Sequence, residues 1–217
     1  MPSRAELYVE GLPATIPSEH VLAFLTERAG ASVVDLGCGI GAYGKRLCET
    51  GRDVVGIELD VGAVARAQAD GLDVRVGDVT ALPFPDGAFE TSVLVDVIEH
   101  LVDPERALAE ALRVARRNVL VTVPNVGEYE RLRTYGVTYW HLVTTDHLNF
   151  FTPEEIQRHG SRIGAHVDVR LAEPLEACAL VPERGLWWYA LVVLARARLL
   201  RPVGWARIYA ELTHPVR

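Results

Sequence analysis

The chain has 217 residues, 49% of them apolar and 24% charged. That balance supports a buried core and excludes a disordered chain, a collagen-like repeat and a disulfide-stapled miniprotein. The formal net charge is −7, so the basic footprint of a general nucleic-acid binder is absent and no nucleic-acid partner is expected.

Short apolar runs alternate with helical patterns along the chain, which points to βαβ units and a parallel sheet. Pro17 to Gly30 reads as a helix with Val21, Leu22 and Leu25 on one face. Ser32–Leu36 is a β-branched run that ends at Gly37, the pattern of a buried strand. A helix over Tyr43–Thr50, a strand over Asp53–Ile57, a helix over Val61–Asp70 and a strand over Leu72–Val76 follow. Pro83, Pro85, Asp86 and Gly87 mark a turn-rich loop. Thr91–Val97 is a fourth strand, Pro104–Ala115 a helix with Asp103 as its N-cap, and Asn118–Val123 a fifth strand. Residues 125–150 break the alternation and are crowded with aromatics and histidines. Thr152-Pro153-Glu154-Glu155 opens a helix with a capping-box pattern. Val167–Leu171 and Ala177–Val181 read as two further strands, and an apolar, arginine-punctuated segment runs from Gly185 to the end.

The sharpest signal lies where the first strand ends, in Asp35-Leu36-Gly37-Cys38-Gly39-Ile40-Gly41. Glycines at 37, 39 and 41 let the backbone turn tightly and come close to a ligand. The next helix N-terminus offers unsatisfied N–H groups. Dinucleotide enzymes carry such a turn too, but here three carboxylates accompany it. Asp35 precedes the first glycine, where it would repel a pyrophosphate and pair with an ammonium group. Glu58 closes the second strand, at a spacing suited to accepting from both ribose hydroxyls. Asp78 follows the third strand, where it can accept from an adenine amino group. The implied ligand has an amino-acid end, a ribose and an adenine, and no phosphate.

These segments, with Gly56-Ile57-Glu58, Gly77-Asp78 and Asp96-Val97-Ile98-Glu99-His100-Leu101, resemble the successive motifs of class I S-adenosylmethionine-dependent methyltransferases across about residues 32–124. The resemblance implies an α/β Rossmann-like sheet of seven strands, mostly parallel with the last antiparallel, and helices on both faces. It implies S-adenosylmethionine as cofactor. Asp35, Gly37, Cys38, Gly39 and Gly41 would hold the methionine part, Glu58 with Leu59 the ribose side, and Asp78 with Val79 the adenine. Asp96 would stand at the border with the acceptor, unless it caps the turn that follows. The later stretches Leu112-Arg113-Val114 and His147-Leu148-Asn149-Phe150-Phe151-Thr152 resemble small-molecule, sugar and quinol O-methyltransferases and the methionine-biosynthesis W protein. Arg116-Arg117-Asn118 replaces the Pro-Gly-Gly turn that many of those relatives carry before the fifth strand.

Methyl transfer from a sulfonium is an in-line displacement, so the enzyme's main task is alignment. A hydroxyl acceptor must also lose its proton, which favours a base that titrates near neutrality. His147 and His100 are the candidates, with anchoring of the local backbone as the competing role for each. Tyr129, Tyr139, Trp140 and His141 in the irregular segment are the expected acceptor-binding residues. A regulatory, cofactor-binding partner protein of the methionine-biosynthesis W type is the alternative to catalysis. The expected organisation is a methyltransferase domain over 1–183 and a helical extension over 184–217. That extension is too short to cross a bilayer. Its tryptophans and arginines suit peripheral contact with the inner membrane face, a homodimer interface or packing over the pocket. Cys38, Cys48 and Cys178 contain no CxxC pair, so a cytoplasmic protein with reduced thiols and no zinc site is expected. No other metal ligand set is expected, and the N-terminus shows no secretion signal.

Overall fold

The computed structural model describes residues 17–127, 147–175, 186–197, 199–202 and 204–215. Seven strands form one sheet: β1 (Ser32–Leu36), β2 (Asp53–Glu58), β3 (Val74–Val76), β4 (Phe89–Val95), β5 (Ala115–Pro124), β6 (His166–Leu175) and β7 (Gly204–Thr213). The helices are α1 (Glu19–Arg28), α2 (Ala42–Glu49), α3 (Val61–Ala69), α4 (Pro104–Val114), α5 (Pro153–Arg162) and α6 (Leu186–Arg196), with a 3₁₀ turn over Ile98–His100. The strand order is β3-β2-β1-β4-β5-β7-β6. β1 pairs in parallel with both β2 and β4, and β5 in parallel with β4. β7 runs antiparallel to β5 and β6. The expected Rossmann-like architecture is therefore present.

Period-two alternation along the strands divides the core between two faces. Val34, Leu36, Ile57, Leu94, Val119, Val121 and Ile208 pack with Ala107, Leu108 and Ala111 of α4 and Ile156 of α5. The alternate residues Val33, Val93, Leu120 and Tyr209 pack with Val21, Phe24 and Leu25 of α1 and Leu47 of α2. Helix ends follow their caps. Asp60 accepts from the Ala63 N–H at 2.9 Å, Asp103 accepts from Arg106 N–H at 2.9 Å, and Thr152 with Glu155 completes a reciprocal capping box.

One expectation is corrected here. Among the described residues beyond 184, Leu186–Arg196 is the helix, while Gly204–Thr213 is a strand inserted between β5 and β6. The sheet therefore takes its antiparallel strand from the segment expected to be an extension. Arg207 and Glu211 interrupt the apolar run of that strand and disguise it. In the fold Arg207 pairs with Asp96 and Glu173, and Glu211 pairs with Arg28 and accepts from the Asn118 side chain at 2.6 Å. A strand at the centre of a sheet can hold charges when each meets a partner. The expected strand Ala177–Val181 lies outside the described residues. Among the described residues, no helix is long and apolar enough to cross a membrane.

Candidate active site

The strand order reverses direction between β1 and β4, and in open α/β sheets ligands bind at the carboxyl ends of the strands at such a switch point. The glycine turn sits there. Gly37, Gly39 and Gly41 all have positive φ, at 70°, 55° and 77°. A Cβ on Gly37 would meet the Val97 methyls at 2.8 and 2.9 Å, and one on Gly41 would meet Leu72 at 2.5 Å. Gly37 and Cys38 N–H donate to the Ile57 carbonyl at 2.8 and 3.2 Å, which ties the turn to β2. Gly41 begins α2 with no side-chain cap, so the helix presents its first N–H groups toward the turn.

Glu58 is 6% exposed at the end of β2. Its Oε2 accepts from Gly39 N–H at 2.9 Å, and its Oε1 accepts from the N–H groups of Leu59 and Asp60, each at 2.8 Å. A carboxylate offers about four acceptor positions, so these three bonds aim the group across the turn and still leave acceptor capacity. Leu59 beside it is 61% exposed.

Asp35 is 3% exposed and lies under α2, where a Cβ on Gly44 would sit 3.4 Å from its Oδ2. It lines a void of ≈ 10 Å³ with Cys38, Gly41, Cys48, Val54 and Leu72. That space holds one water at most, so Asp35 presents no open face to an incoming ammonium group. Burial pushes its carboxyl up to about 7, the Gly44 N–H opposes this, and the nearby Glu58 charge adds to it. Cys38 packs over Gly56, whose Cβ would meet the thiol at 2.6 Å. Burial, then the charges of Asp35 and Glu58, keep that thiol protonated. A filler fits Cys38 better than a nucleophile.

Asp78 is exposed, and its Oδ1 accepts from both the N–H and the hydroxyl of Thr80 at 2.8 Å. Those bonds hold its carboxyl below the usual range. Val79 is buried beside it. Asp96, at φ 53°, directly follows β4. It does not cap the 3₁₀ turn, whose N-cap is Val97, but forms an ion pair with Arg207 of β7. Arg207 Nε also donates to Glu173 at 3.2 Å, and Glu173 accepts from Tyr209 at 2.9 Å and from the Ser18 hydroxyl at 3.2 Å. Arg207 and Glu173 are site-bordering residues that sequence reasoning missed. Pairing of β6 with β7 sets Ala172 opposite Arg207, and the next residue, Glu173, has a positive φ of 55°.

In the turn after Val97, His100 meets His147 with ring centroids 4.8 Å apart and planes at 72°. Leu148 and Asn149 N–H both donate to the Glu99 carbonyl, at 2.8 and 2.9 Å. The Asn149 side chain donates to the Leu101 carbonyl at 2.7 Å. The expected acceptor residues Tyr129, Tyr139, Trp140 and His141 lie outside the described residues.

Residues 34–123 match the methyltransferase domain family. The match covers the glycine turn, Glu58, Asp78, Asp96 and His100, and S-adenosylmethionine is the cofactor it implies. A "Probable S-adenosylmethionine-dependent methyltransferase" of Mycolicibacterium smegmatis is 37% identical over 101 residues, 45% of this chain and 39% of that protein. Demethylmenaquinone methyltransferase of Renibacterium salmoninarum is 29% identical over 150 residues, 68% of this chain and 60% of that protein. The chain thus spans less than two thirds of the length of each of these curated relatives. A SAM-dependent methyltransferase of Archaeoglobus fulgidus superposes with a TM-score of 0.65 at 17% identity, over 88% of this chain and 91% of that one, a likeness of fold. The methyltransferase-domain residues present fit the cofactor: side chains larger than hydrogen would close the turn, and Glu58 is already oriented by three amides.

Proposed function

We propose that the chain moves the methyl group of S-adenosylmethionine to a hydroxyl of a small or lipid-linked molecule, such as a sugar, a quinol or a secondary metabolite. The observation that carries this reading is the meeting of two imidazoles, His100 and His147, at the short turn that starts from Val97, the residue whose side chain abuts Gly37. The demethylmenaquinone methyltransferase likeness supports a lipid-linked acceptor class.

In this reading S-adenosylmethionine supplies an electrophilic methyl on a sulfonium. Gly37, Gly39 and Gly41 let the backbone approach the methionine part. Glu58 accepts from the ribose, Leu59 covers the sugar side, and Asp78 with Val79 borders the adenine. Asp35 lies beneath the turn without direct contact, and its ionised form, which gains ground as pH rises through about 7, favours a cation over a phosphate. Asp96, neutralised by Arg207, keeps that end of the cleft from becoming a second anionic centre. The sulfur leaves without needing a proton, so the acceptor side has one proton to manage, and the imidazole pair stands where that proton departs.

Incubation of the protein with labelled S-adenosylmethionine and hydroxyl-bearing metabolites of a cell extract tests this. Label on a hydroxyl oxygen supports the proposal. Label only on carbon or nitrogen, or none with the cofactor bound, overturns the hydroxyl assignment.

A further inference from the structure

Among the described residues, Glu99, His100 and His147 form a group whose ligand atoms all lie within 4.8 Å of one another. Glu99 and His100 are consecutive on the 3₁₀ turn after β4, while His147 arrives from a distant segment. The fold brings them together deliberately. Two amides of the 147–149 segment converge on the Glu99 carbonyl, and the Asn149 side chain reaches the carbonyls of Ile98 at 3.3 Å and Leu101 at 2.7 Å. Phe151, 2% exposed, anchors the far end, with its carbonyl accepting from Val126 N–H at 3.1 Å. The Glu99 residue is 1% exposed.

We propose that Glu99, His100 and His147 bind one divalent transition-metal ion at the acceptor side of the cleft. Two imidazole nitrogens and one carboxylate oxygen are borderline donors, suited to zinc, cobalt, iron or manganese rather than to calcium. Metal–ligand bonds of about 2.0–2.2 Å place ligand atoms roughly 3 to 3.5 Å apart. Each gap in the present cluster therefore closes by about 1.8 Å or less, within the reach of small side-chain rotations. Three protein ligands leave a coordination position open.

The chemical use of that position rests on the hydroxyl reading above. An acceptor hydroxyl placed there becomes more acidic. Its proton passes to water, its oxygen lone pair forms the O–CH₃ bond, and the S–CH₃ bonding pair stays on sulfur. The two imidazoles then hold the ion instead of taking the proton themselves. The metal site itself stands on the geometry of the three side chains and survives if the acceptor atom proves different.

The test uses the full chain, stripped with a chelator and titrated with Co²⁺ by calorimetry and visible absorption. One Co²⁺ per chain with d–d bands is expected. His147→Ala should weaken that binding by at least about tenfold while S-adenosylhomocysteine affinity and the melting curve stay as in the parent. Glu99→Gln should act in the same direction. No Co²⁺ binding, or binding unchanged by His147→Ala, overturns the proposal. Co²⁺ binding without methylation of any hydroxyl leaves the metal site standing and removes the hydroxyl reading, so the two failures are distinct.

Discussion

The two sides of the cleft are assembled in different ways. The cofactor side is made between Asp35 and Asp78 from three successive strand ends, each carrying its carboxylate and its turn in adjacent residues. The proposed acceptor side joins Asp96, Glu99 and His100 after β4 to His147 before α5, Glu173 on β6 and Arg207 on β7. The first is a product of local sequence. The second exists only once the sheet has closed in the order β5-β7-β6. Damage should accordingly show on the cofactor side mainly as lost ligand affinity, and on the acceptor side first as lost stability.

The largest expected effect is on the acceptor side. Arg207→Met removes the cation shared by Asp96 and Glu173, whose side chains are 32% and 22% exposed against 10% for Arg207. Breaking such a pair from one side costs about 3–5 kcal/mol, measurable by urea unfolding. Adding Asp96→Asn should recover part of that loss. A cost below about 1 kcal/mol would show that Arg207 does not hold the two halves together.

Glu58→Ala comes next and belongs to the cofactor side. It removes the acceptor of three amides and of the proposed ribose bonds, and should weaken S-adenosylhomocysteine binding by about 1–3 kcal/mol in calorimetry. Unchanged affinity would place the ribose elsewhere. Gly37→Ala should lower stability by about 1–3 kcal/mol, because φ is 70° and the Val97 methyls stand within 3 Å of the added carbon. A melting curve like the parent's would mean that the turn relaxes freely.

A further effect is a pH slope. Asp35 is raised from 3.8 to about 7, so the folded chain keeps a proton that the unfolded chain releases. Its contribution to stability is complete below about pH 4 and is lost as pH rises through 7. Asp35→Asn should flatten stability across that window and gain relative to the parent above it. An identical slope in both proteins would show that the carboxyl is not confined beneath α2.

This contrast also explains what could be read ahead of the structure. Asp35, Glu58 and Asp78 were legible because strand, turn and acid are contiguous, and β1 to β5 follow from their apolar runs. β7 is hidden because Arg207 and Glu211 make its segment look like part of an arginine-punctuated helical extension, and their partners Asp96, Glu173 and Arg28 offset them in the fold. With β7 unseen, capping of the next turn competes with the border role for Asp96, and Arg207 has no role. His100 and His147 were each visible as candidates for a base. Their convergence with Glu99 depends on backbone bonds between segments far apart in the chain, which no local pattern reports.

The measurement that bears most directly on the central claim is a calorimetric titration of the purified chain with S-adenosylhomocysteine and, separately, with NAD. Binding of one S-adenosylhomocysteine per chain, weakened by Glu58→Ala, with no heat from NAD, is the predicted result. Binding of NAD in place of S-adenosylhomocysteine would mean that the glycine turn holds a pyrophosphate, and would contradict the account.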